Sequence, residues 1–368
     1  MRNLIVATLL CFALISVSAA QKQENPVFKG QVNLATVSFR HIAKGKTTEL
    51  RQEDVLLLED GKPQRCTFFE GGSATQRTSP IEITWLVDRI SVKPWAIGSP
   101  GHRNGMDASA FHAGLIALLE KYPTAFHSIY GFDTELWRFC GPTHDSKEIT
   151  RAVQNLVEDR LAANQVKLTL PSGSKQIKSP SLQVRGKAGS EDNWLYESIG
   201  ASLQDLATVP SNATRMLVVV SFGNRGTDTK PSFAAEIARE LGVPIYPIVL
   251  EYTQLERASM QAQQDQSSGD PYKDSASRIN YAENALLVKR QFASLGEMTG
   301  GQEFLFEQFA KQGMDLVLRV LDDHVQHQYT VGFSPKLSEG TPQRHTLEVK
   351  LTTNGKGKIA GGKRIITY

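Results

Sequence analysis

"IEITWLVD", residues 81–88, is the stretch that decides the fold. It is apolar and β-branched almost throughout, which predicts a buried strand, and it ends in an acid, Asp88. In an open parallel sheet, ligand sites gather just beyond the carboxyl ends of the strands. Asp88 is therefore the first candidate site residue, and the question is whether it helps to hold a metal ion.

Strands and helices alternate on both sides of this stretch. "RMLVVVSF" at 215–222 is apolar at consecutive positions, as in a central strand covered on both faces. "FAAEIARELGVPIYPIVL" predicts an amphipathic helix, a stop at Gly242 and an apolar strand. We predict strands at 81–88, 125–131, 135–140, 215–222, 244–250 and 302–306, and helices at 107–121, 146–162, 193–207, 231–241, 285–298 and 308–323. Six such pairs predict a doubly wound, mostly parallel α/β sheet over residues 78–325.

Two β-rich segments flank this domain, at 21–77 and 326–368. The first has a hairpin signal at Glu59-Asp60-Gly61-Lys62. The second contains "QHQYTVGFSP", "RHTLEVKLTT" and "KRIITY". We expect the two segments to pair as a small antiparallel β-sandwich into which the α/β domain is inserted, since insertion between nearby chain ends is well tolerated.

The first twenty residues, "MRNLIVATLLCFALISVSAA", have an early arginine, an apolar stretch and a small-residue end. This pattern predicts a signal peptide over 1–20 and an exported protein, periplasmic or secreted. A retained N-terminal anchor is the alternative. We expect no membrane-spanning segment in the mature chain.

Composition excludes some functions. The chain has 368 residues, is 40% hydrophobic and carries a net charge of +3, which does not indicate nucleic-acid binding. In the mature chain Cys66 and Cys140 can be free thiols, the favoured state, or a disulfide. Two polar insertions stand out. Residues 163–190 are expected to form a solvated basic loop, with a binding surface for an acidic partner as the alternative, and residues 253–283 are expected to be disordered.

The order of motifs resembles a known family. "LRQEDVLLLEDGKPQRCTFFEGG", a strand ending in Asp88, "NWLYESIGASLQDLA", "MLVVVSFGNRG", "GVPIYPIVL", "MTGGQEFLF" and "QHQYTVGFSP" are similar to the von Willebrand factor A-related proteins exported by acidobacteria. The resemblance covers Val32 to Tyr368. It implies a von Willebrand A-like fold and, in active members, a metal-ion-dependent adhesion site, where hydroxyls and carboxylates from three loops hold Mg²⁺.

This chain lacks most of the metal-ligating residues of the metal-ion-dependent adhesion site. Asp88 matches the first acid, but Ile90 and Val92 stand where two serines are expected. Asn193 falls at the threonine position, and Phe222 replaces the last acid. We therefore predict a degenerate site with no metal or other cofactor, in which Asp88 caps a turn or pairs with a neighbouring cation. A rearranged site for Mg²⁺ or Mn²⁺ built from Asp88, Ser91, Asn193 and Glu197 is the alternative.

Other chemistry is weakly represented. The sequence has no nucleophile elbow, Walker A loop or dinucleotide fingerprint. His324 and His327 have the spacing of two metal ligands on one helix. The commoner explanation for such histidines is a favourable interaction between their positive charge and the dipole at a helix C-terminus. His102 with Asp107 could form a base and its carboxylate, although a polar rim fits that loop better. We predict that the chain is not an enzyme.

The function predicted from the sequence is thus an exported protein-binding or scaffold protein with an unidentified protein partner. The residues expected to contact that partner are Asp88, Ser91, Trp95, Asn193 and Asn224, with Trp95 as the aromatic anchor. Phe222 is expected either to fill the vacated metal site or to form part of an apolar patch. The alternatives are a metal-dependent adhesion protein and a cell-envelope hydrolase with an unrecognised site.

Overall fold

The fold is organised round a seven-stranded sheet whose central strand is the predicted stretch Ile81–Asp88. In the computed structural model the strands of the whole chain are β1 (Ala35–Ile42), β2 (Val55–Glu59), β3 (Lys62–Gln64), β4 (Phe68–Gly71), β5 (Ile81–Asp88), β6 (Phe126–Phe132), β7 (Leu136–Thr143), β8 (Val166–Leu168), β9 (Thr214–Ser221), β10 (Ile245–Val249), β11 (Phe304–Leu305), β12 (Gln328–Phe333), β13 (Arg344–Leu351), β14 (Lys358–Gly361) and β15 (Lys363–Thr367).

The large sheet has the order β11-β10-β9-β5-β6-β7-β8. Strands β11, β10, β9, β5 and β6 are parallel; β7 is antiparallel to β6, and the edge strand β8 is antiparallel to β7. Every residue of β5 is buried, because helices cover both faces of the sheet. This is the mostly parallel, doubly wound α/β architecture that the sequence predicted.

Seven helices among the described residues cover the sheet: α1 (Ala108–Lys121), α2 (Ser146–Val157), α3 (Leu195–Ala207), α4 (Pro231–Leu241), α5 (Tyr252–Ser267), α6 (Ser275–Thr299) and α7 (Lys311–Gln326). Trp85, Phe111 and Val317 belong to the core under α1, α2 and α7. Leu86, Ile199 and Phe292 belong to the core on the other face, under α3, α4 and α6. Helix α4 ends at Gly242, whose φ of +68° suits the predicted stop.

The terminal segments form the expected sandwich. One sheet has the order β14-β1-β12-β4 and the other β15-β13-β2-β3. Strand β1 pairs with β12 and β14, and β2 pairs with β13, so each sheet combines strands from both terminal segments. Phe39, Leu57 and Val331 are buried between the sheets. The hairpin of β2 and β3 turns at Asp60 and Gly61, both at positive φ.

The structure describes residues 34–42, 49–72, 80–92, 107–158, 160, 165–170, 193–208, 213–224, 227–267, 275–307, 311–335, 343–353 and 355–367. The predicted signal peptide (1–20), Trp95, His102 and most of the basic insertion (171–190) lie outside these ranges. In the described part of the chain, no helix has the length and apolar character needed to span a membrane.

The expectation of disorder at 253–283 was wrong for its described part. Helix α5 covers Tyr252–Ser267, and α6 begins at Ser275, ten residues before its predicted start. The two helices pack on each other, and α6 also packs on β10. Helix α5 has a polar sequence with no apolar stripe, so its stability comes from this packing, which periodicity could not predict. The basic insertion likewise contributes an edge strand, β8.

Cys66 and Cys140 are free thiols, as favoured from the sequence. Cys140 is buried in the large sheet, and burial raises the pKa of its thiol to about 12. A thiol held so far from its thiolate form is a poor nucleophile.

Candidate functional site

The carboxyl ends of the central strands bring three separate stretches of chain together. Asp88 ends β5, and Ser221 ends the neighbouring β9, where Val87 pairs with Val220. Asn193 lies just before α3. The side chains of Asp88, Asn193 and Ser221, with that of Ser91 in the turn after β5, are fully buried. We call these four residues the Asp88 cluster.

Asp88 is the acceptor at the centre of this cluster. Its Oδ2 accepts hydrogen bonds from Asn193 Nδ2 at 2.8 Å and from Ser221 Oγ at 3.0 Å. Its Oδ1 accepts from the Ile90 backbone N–H at 3.1 Å, and its backbone oxygen accepts from Ser91 Oγ at 2.5 Å. The chain itself therefore supplies donors to both carboxylate oxygens, as a buried carboxylate requires.

Asn193 links the three stretches through its amide group. Besides Asp88, its Nδ2 donates to the Gly223 backbone oxygen at 2.9 Å. The Gly223 N–H in turn donates to Ser221 Oγ at 3.1 Å. The neutral amide group of Asn193 therefore donates to oxygens of two different loops, those of Asp88 and Gly223. This arrangement fixes the positions of the loops that follow β5 and β9.

The cluster does not fit the oxygen set of a magnesium site. Mg²⁺ requires near-octahedral coordination by oxygens, some of them water. Ile90 and Val92 offer no side-chain oxygen, and both carboxylate oxygens of Asp88 already accept N–H or O–H donors. Across the described ranges, no group of three or more His, Cys, Asp and Glu side chains could hold a metal ion.

Two further residues of the alternative metal and partner sets make their hydrogen bonds with the loop at 227–229. Glu197 is buried, and its Oε1 accepts a hydrogen bond from the Thr229 hydroxyl. Asn224 Nδ2 donates to the Thr227 backbone oxygen at 2.9 Å. Both side chains therefore anchor the loop that leads into α4.

A buried lysine completes this edge of the sheet. Lys289 of α6 is 4% exposed, and its Nζ donates to the backbone oxygens of Leu250 at 2.6 Å and Phe222 at 2.9 Å. Its Nζ also lies 5.5 Å from the centre of the Phe222 ring, within cation–π range. The ammonium thus satisfies carbonyls just beyond the ends of β9 and β10.

The sequence reasoning missed Ser221 and Lys289. For Ser221 the signal was its place as the last strand residue, level with Asp88 on the next strand. For Lys289 it was the helical spacing, because Lys289 falls three residues after Leu286 and three before Phe292, both buried. A lysine on the apolar stripe of a helix indicates a buried partner.

The predicted partner-binding residues lie in different environments. Asp88, Ser91 and Asn193 are fully buried and present no surface in this conformation, whereas Asn224 is partly buried. Their role in binding stays a prediction, as does that of Trp95, which lies outside the described residues.

The aromatic residues expected near this edge mostly serve packing. Trp85 is a core residue: it packs edge-on against Phe111, and its Nε1 donates to His127 Nδ1 at 3.2 Å. Phe222 is partly buried and packs against the core under α1 and α7. Its two expected roles, filling the vacated metal site or forming part of an apolar patch, both stay predictions.

The histidines near the end of α7 do not behave as a matched pair. His324 is buried, and its Nδ1 lies 2.7 Å from the Tyr246 hydroxyl. Burial, followed by the charge of Arg40, lowers the pKa of His324 to about 3. His324 is therefore neutral, and the expected charge interaction with the helix end is wrong for this residue. His327 Nδ1 bonds the Asp323 backbone oxygen at 2.8 Å.

Asp107 has a structural role. Its carboxylate accepts hydrogen bonds from the Ser109 and Ala110 N–H groups, which makes it the N-cap of α1. This role agrees with the polar-rim interpretation of the loop. His102, its suggested catalytic partner, is not among the described residues.

No protein-family model and no curated protein sequence matches the chain. Among solved structures it is similar to the conserved hypothetical protein BatB from Bacteroides thetaiotaomicron, with 12% identity over 66% of this chain and 98% of that one (TM-score 0.39). The ArnB paralog VWA2 from Sulfolobus acidocaldarius has 10% identity over 91% and 74% (TM-score 0.34). Proximal thread matrix protein 1 from the mussel byssus has 10% over 68% and 47% (TM-score 0.36). The strand order of the sheet, not these similarities, defines the fold.

Proposed function

We propose that this chain is an exported, non-enzymatic protein-binding or scaffold protein whose von Willebrand A-like domain works without a divalent cation. The observation that carries the proposal is the engagement of Asp88. Both of its carboxylate oxygens accept hydrogen bonds from the chain's own donors, which come from the turn after β5, the start of α3 and the end of β9.

Hydrogen bonds within the cluster hold the loops together, as a cation does at an adhesion site. A bound ion would have to displace the Asn193 amide and the Ser221 hydroxyl from Asp88 and then give up part of its hydration shell. Charge-assisted hydrogen bonds to a buried carboxylate oppose that exchange. The loops can therefore hold a fixed arrangement for a protein partner without metal.

Lys289 supports the same proposal from the other side of β9. Its amino group lies at the carboxyl edge of the sheet, where it donates hydrogen bonds to two backbone oxygens. One of them belongs to Phe222, the residue after Ser221. A buried amino group needs such acceptors, and these bonds hold α6 against the ends of β9 and β10.

The non-enzymatic part of the proposal rests on the chemistry of the buried titratable groups. Cys140 is held as a thiol, and the neutral His127 and His324 are bonded to Trp85 and Tyr246. Trp85 and Tyr246 are both buried, so neither histidine activates a nucleophile that a substrate could reach. Export is proposed from residues 1–20, and the periplasm or the cell exterior is the compartment.

The test is titration of the chain, purified without residues 1–20, with Mg²⁺ and Mn²⁺ in a calorimeter, with a thermal melt at each concentration. A ligand that binds only the folded state raises the melting temperature. We expect no binding heat and no shift at millimolar metal. A saturable shift that is absent in Asp88→Ala but present in Asp323→Asn, an exposed control, would instead establish the rearranged cation site.

A further inference from the structure

A small cavity lies where the sandwich meets the α/β domain, away from the Asp88 cluster. Its walls come from β1, β12, β14 and β15 of the sandwich and from α4, the start of β10 and the ends of α6 and α7. The cavity volume is about 20 Å³. One water-sized guest needs about 10–15 Å³, so the cavity has room for a single small molecule or ion.

The walls of this cavity are basic. Arg40, Arg239 and Lys363 line it, and among the described residues that form its walls there is no aspartate or glutamate. Asp323 is close enough to Arg40 to interact electrostatically. Its carboxylate, however, pairs with His327 Nδ1 at 3.1 Å and is largely exposed. A guest in the cavity therefore meets cationic and neutral groups.

Two donors of the cavity wall have no hydrogen-bond partner in the chain. His324 is 2% exposed, and with Nδ1 bonded to Tyr246 its Nε2 is left unpartnered. Nε of Arg40 is also buried and unpartnered. When the Tyr246 hydroxyl donates to Nδ1, the imidazole carries its proton on Nε2. Two N–H groups, one of them cationic, then need an acceptor, because an unmade buried hydrogen bond is costly.

We propose that this cavity binds one small inorganic anion of the halide class, with chloride as the natural guest. The anion accepts hydrogen bonds from Arg40 Nε and His324 Nε2. It thereby joins β1 of the sandwich to α7 of the α/β domain. A metal cation is opposed by the positive charge of Arg40.

The first experiment compares thermal melts in sodium chloride, sodium bromide and sodium gluconate at equal ionic strength. Gluconate is too large to enter the cavity. We expect the melting temperature to rise saturably with chloride and bromide but not with gluconate, since only the halides bind the folded state. Equal melting temperatures in all three salts would overturn the proposal.

Matched variants separate this site from general salt effects. Arg40→Met removes the donor but keeps an apolar stem, and we expect it to abolish the difference between chloride and gluconate. Arg319→Met removes an exposed arginine of α7 and should leave that difference intact. A halide effect that persists in Arg40→Met would contradict the assignment.

Crystals of the unaltered protein grown with sodium bromide provide a test that needs no variant. We expect an anomalous bromine peak in the cavity within contact distance of Arg40 Nε and His324 Nε2. A water molecule there, with no anomalous signal, would exclude the anion. Because sodium is the cation throughout, neither result depends on whether the Asp88 cluster binds a divalent metal.

Discussion

The two ends of strand β5 each hold a buried carboxylate, and the chain satisfies them in different ways. Near the amino end, Glu82 Oε2 accepts from Arg215 Nε at 2.8 Å, and Glu82 is 2% exposed. At the carboxyl end, Asp88 is bonded by an amide, a hydroxyl and a backbone N–H. Six residues apart, the two acids lie on the same face of the sheet, since side chains alternate along a strand.

The two carboxylates therefore have different structural roles: Glu82 belongs to an ion pair within the sheet, and Asp88 belongs to a cluster that organises loops. Glu82 and Arg215 lie on adjacent strands, where the sheet itself fixes their distance. Two of the donors to Asp88, Asn193 and Ser221, lie more than a hundred residues from it in sequence. The Glu82–Arg215 pair therefore aligns two neighbouring strands, whereas the Asp88 cluster joins loops that are distant in sequence.

The largest effect is expected at the amino end. Arg215→Met leaves Glu82 buried without its ion partner, which typically costs about 3–5 kcal/mol of unfolding free energy. Urea unfolding followed by circular dichroism measures this loss. The double variant Glu82→Met/Arg215→Met should recover much of it, because an apolar pair leaves no buried charge. A single variant that costs under about 1 kcal/mol would show that the pair is not a structural anchor.

A smaller loss is expected at the carboxyl end. Asp88→Ala removes the acceptor shared by Asn193 and Ser221, and we expect a loss of about 3 kcal/mol from hydrogen bonds to a charged group and from orphaned donors. Asp88→Asn keeps the shape and should cost less. The same urea experiment compares both variants with Arg215→Met. If Asp88→Ala is as stable as the parent, the cluster does not organise the loops.

The smallest of the three effects is a pH dependence beside the amino half of β5. Burial lowers the pKa of His127 to about 4, and His127 pairs in register with Ile83. The unfolded chain binds this proton near pH 6.5 and the folded chain does not, so stability falls as pH drops from about 6.5 towards 4. His127 alone should contribute a loss of about 2 kcal/mol by pH 5.

Urea midpoints at pH 7 and pH 5 for the parent and for His127→Gln measure this contribution. We expect His127→Gln to be less stable at pH 7 but to lose less stability on acidification. His324→Gln serves as the comparison, since the pKa of that residue is also lowered, to about 3, at a site away from β5. If the parent and His127→Gln lose equal stability between the two pH values, His127 does not carry the effect.

Much of the fold could be predicted from the sequence, because it depends on local pattern. The strand over 81–88 has its predicted bounds, and α4 ends at Gly242 as expected. The pairing of the terminal segments also followed from their β pattern. The helical hairpin of α5 and α6 could not be predicted, because α5 is held by its packing against α6 and not by an apolar stripe of its own.

The site was predictable only in part. Asp88 and Asn193 were singled out because the family resemblance gives each a position in a motif. Ser221 and Lys289 depend on which strand lies beside β5 and which helix covers the sheet edge. The sequence by itself thus determined the elements and the acid at the end of β5, since strand pattern and chain position are local properties. Only the tertiary structure decided which donors meet that acid, because a hydrogen bond requires atoms about 3 Å apart whatever their separation along the chain.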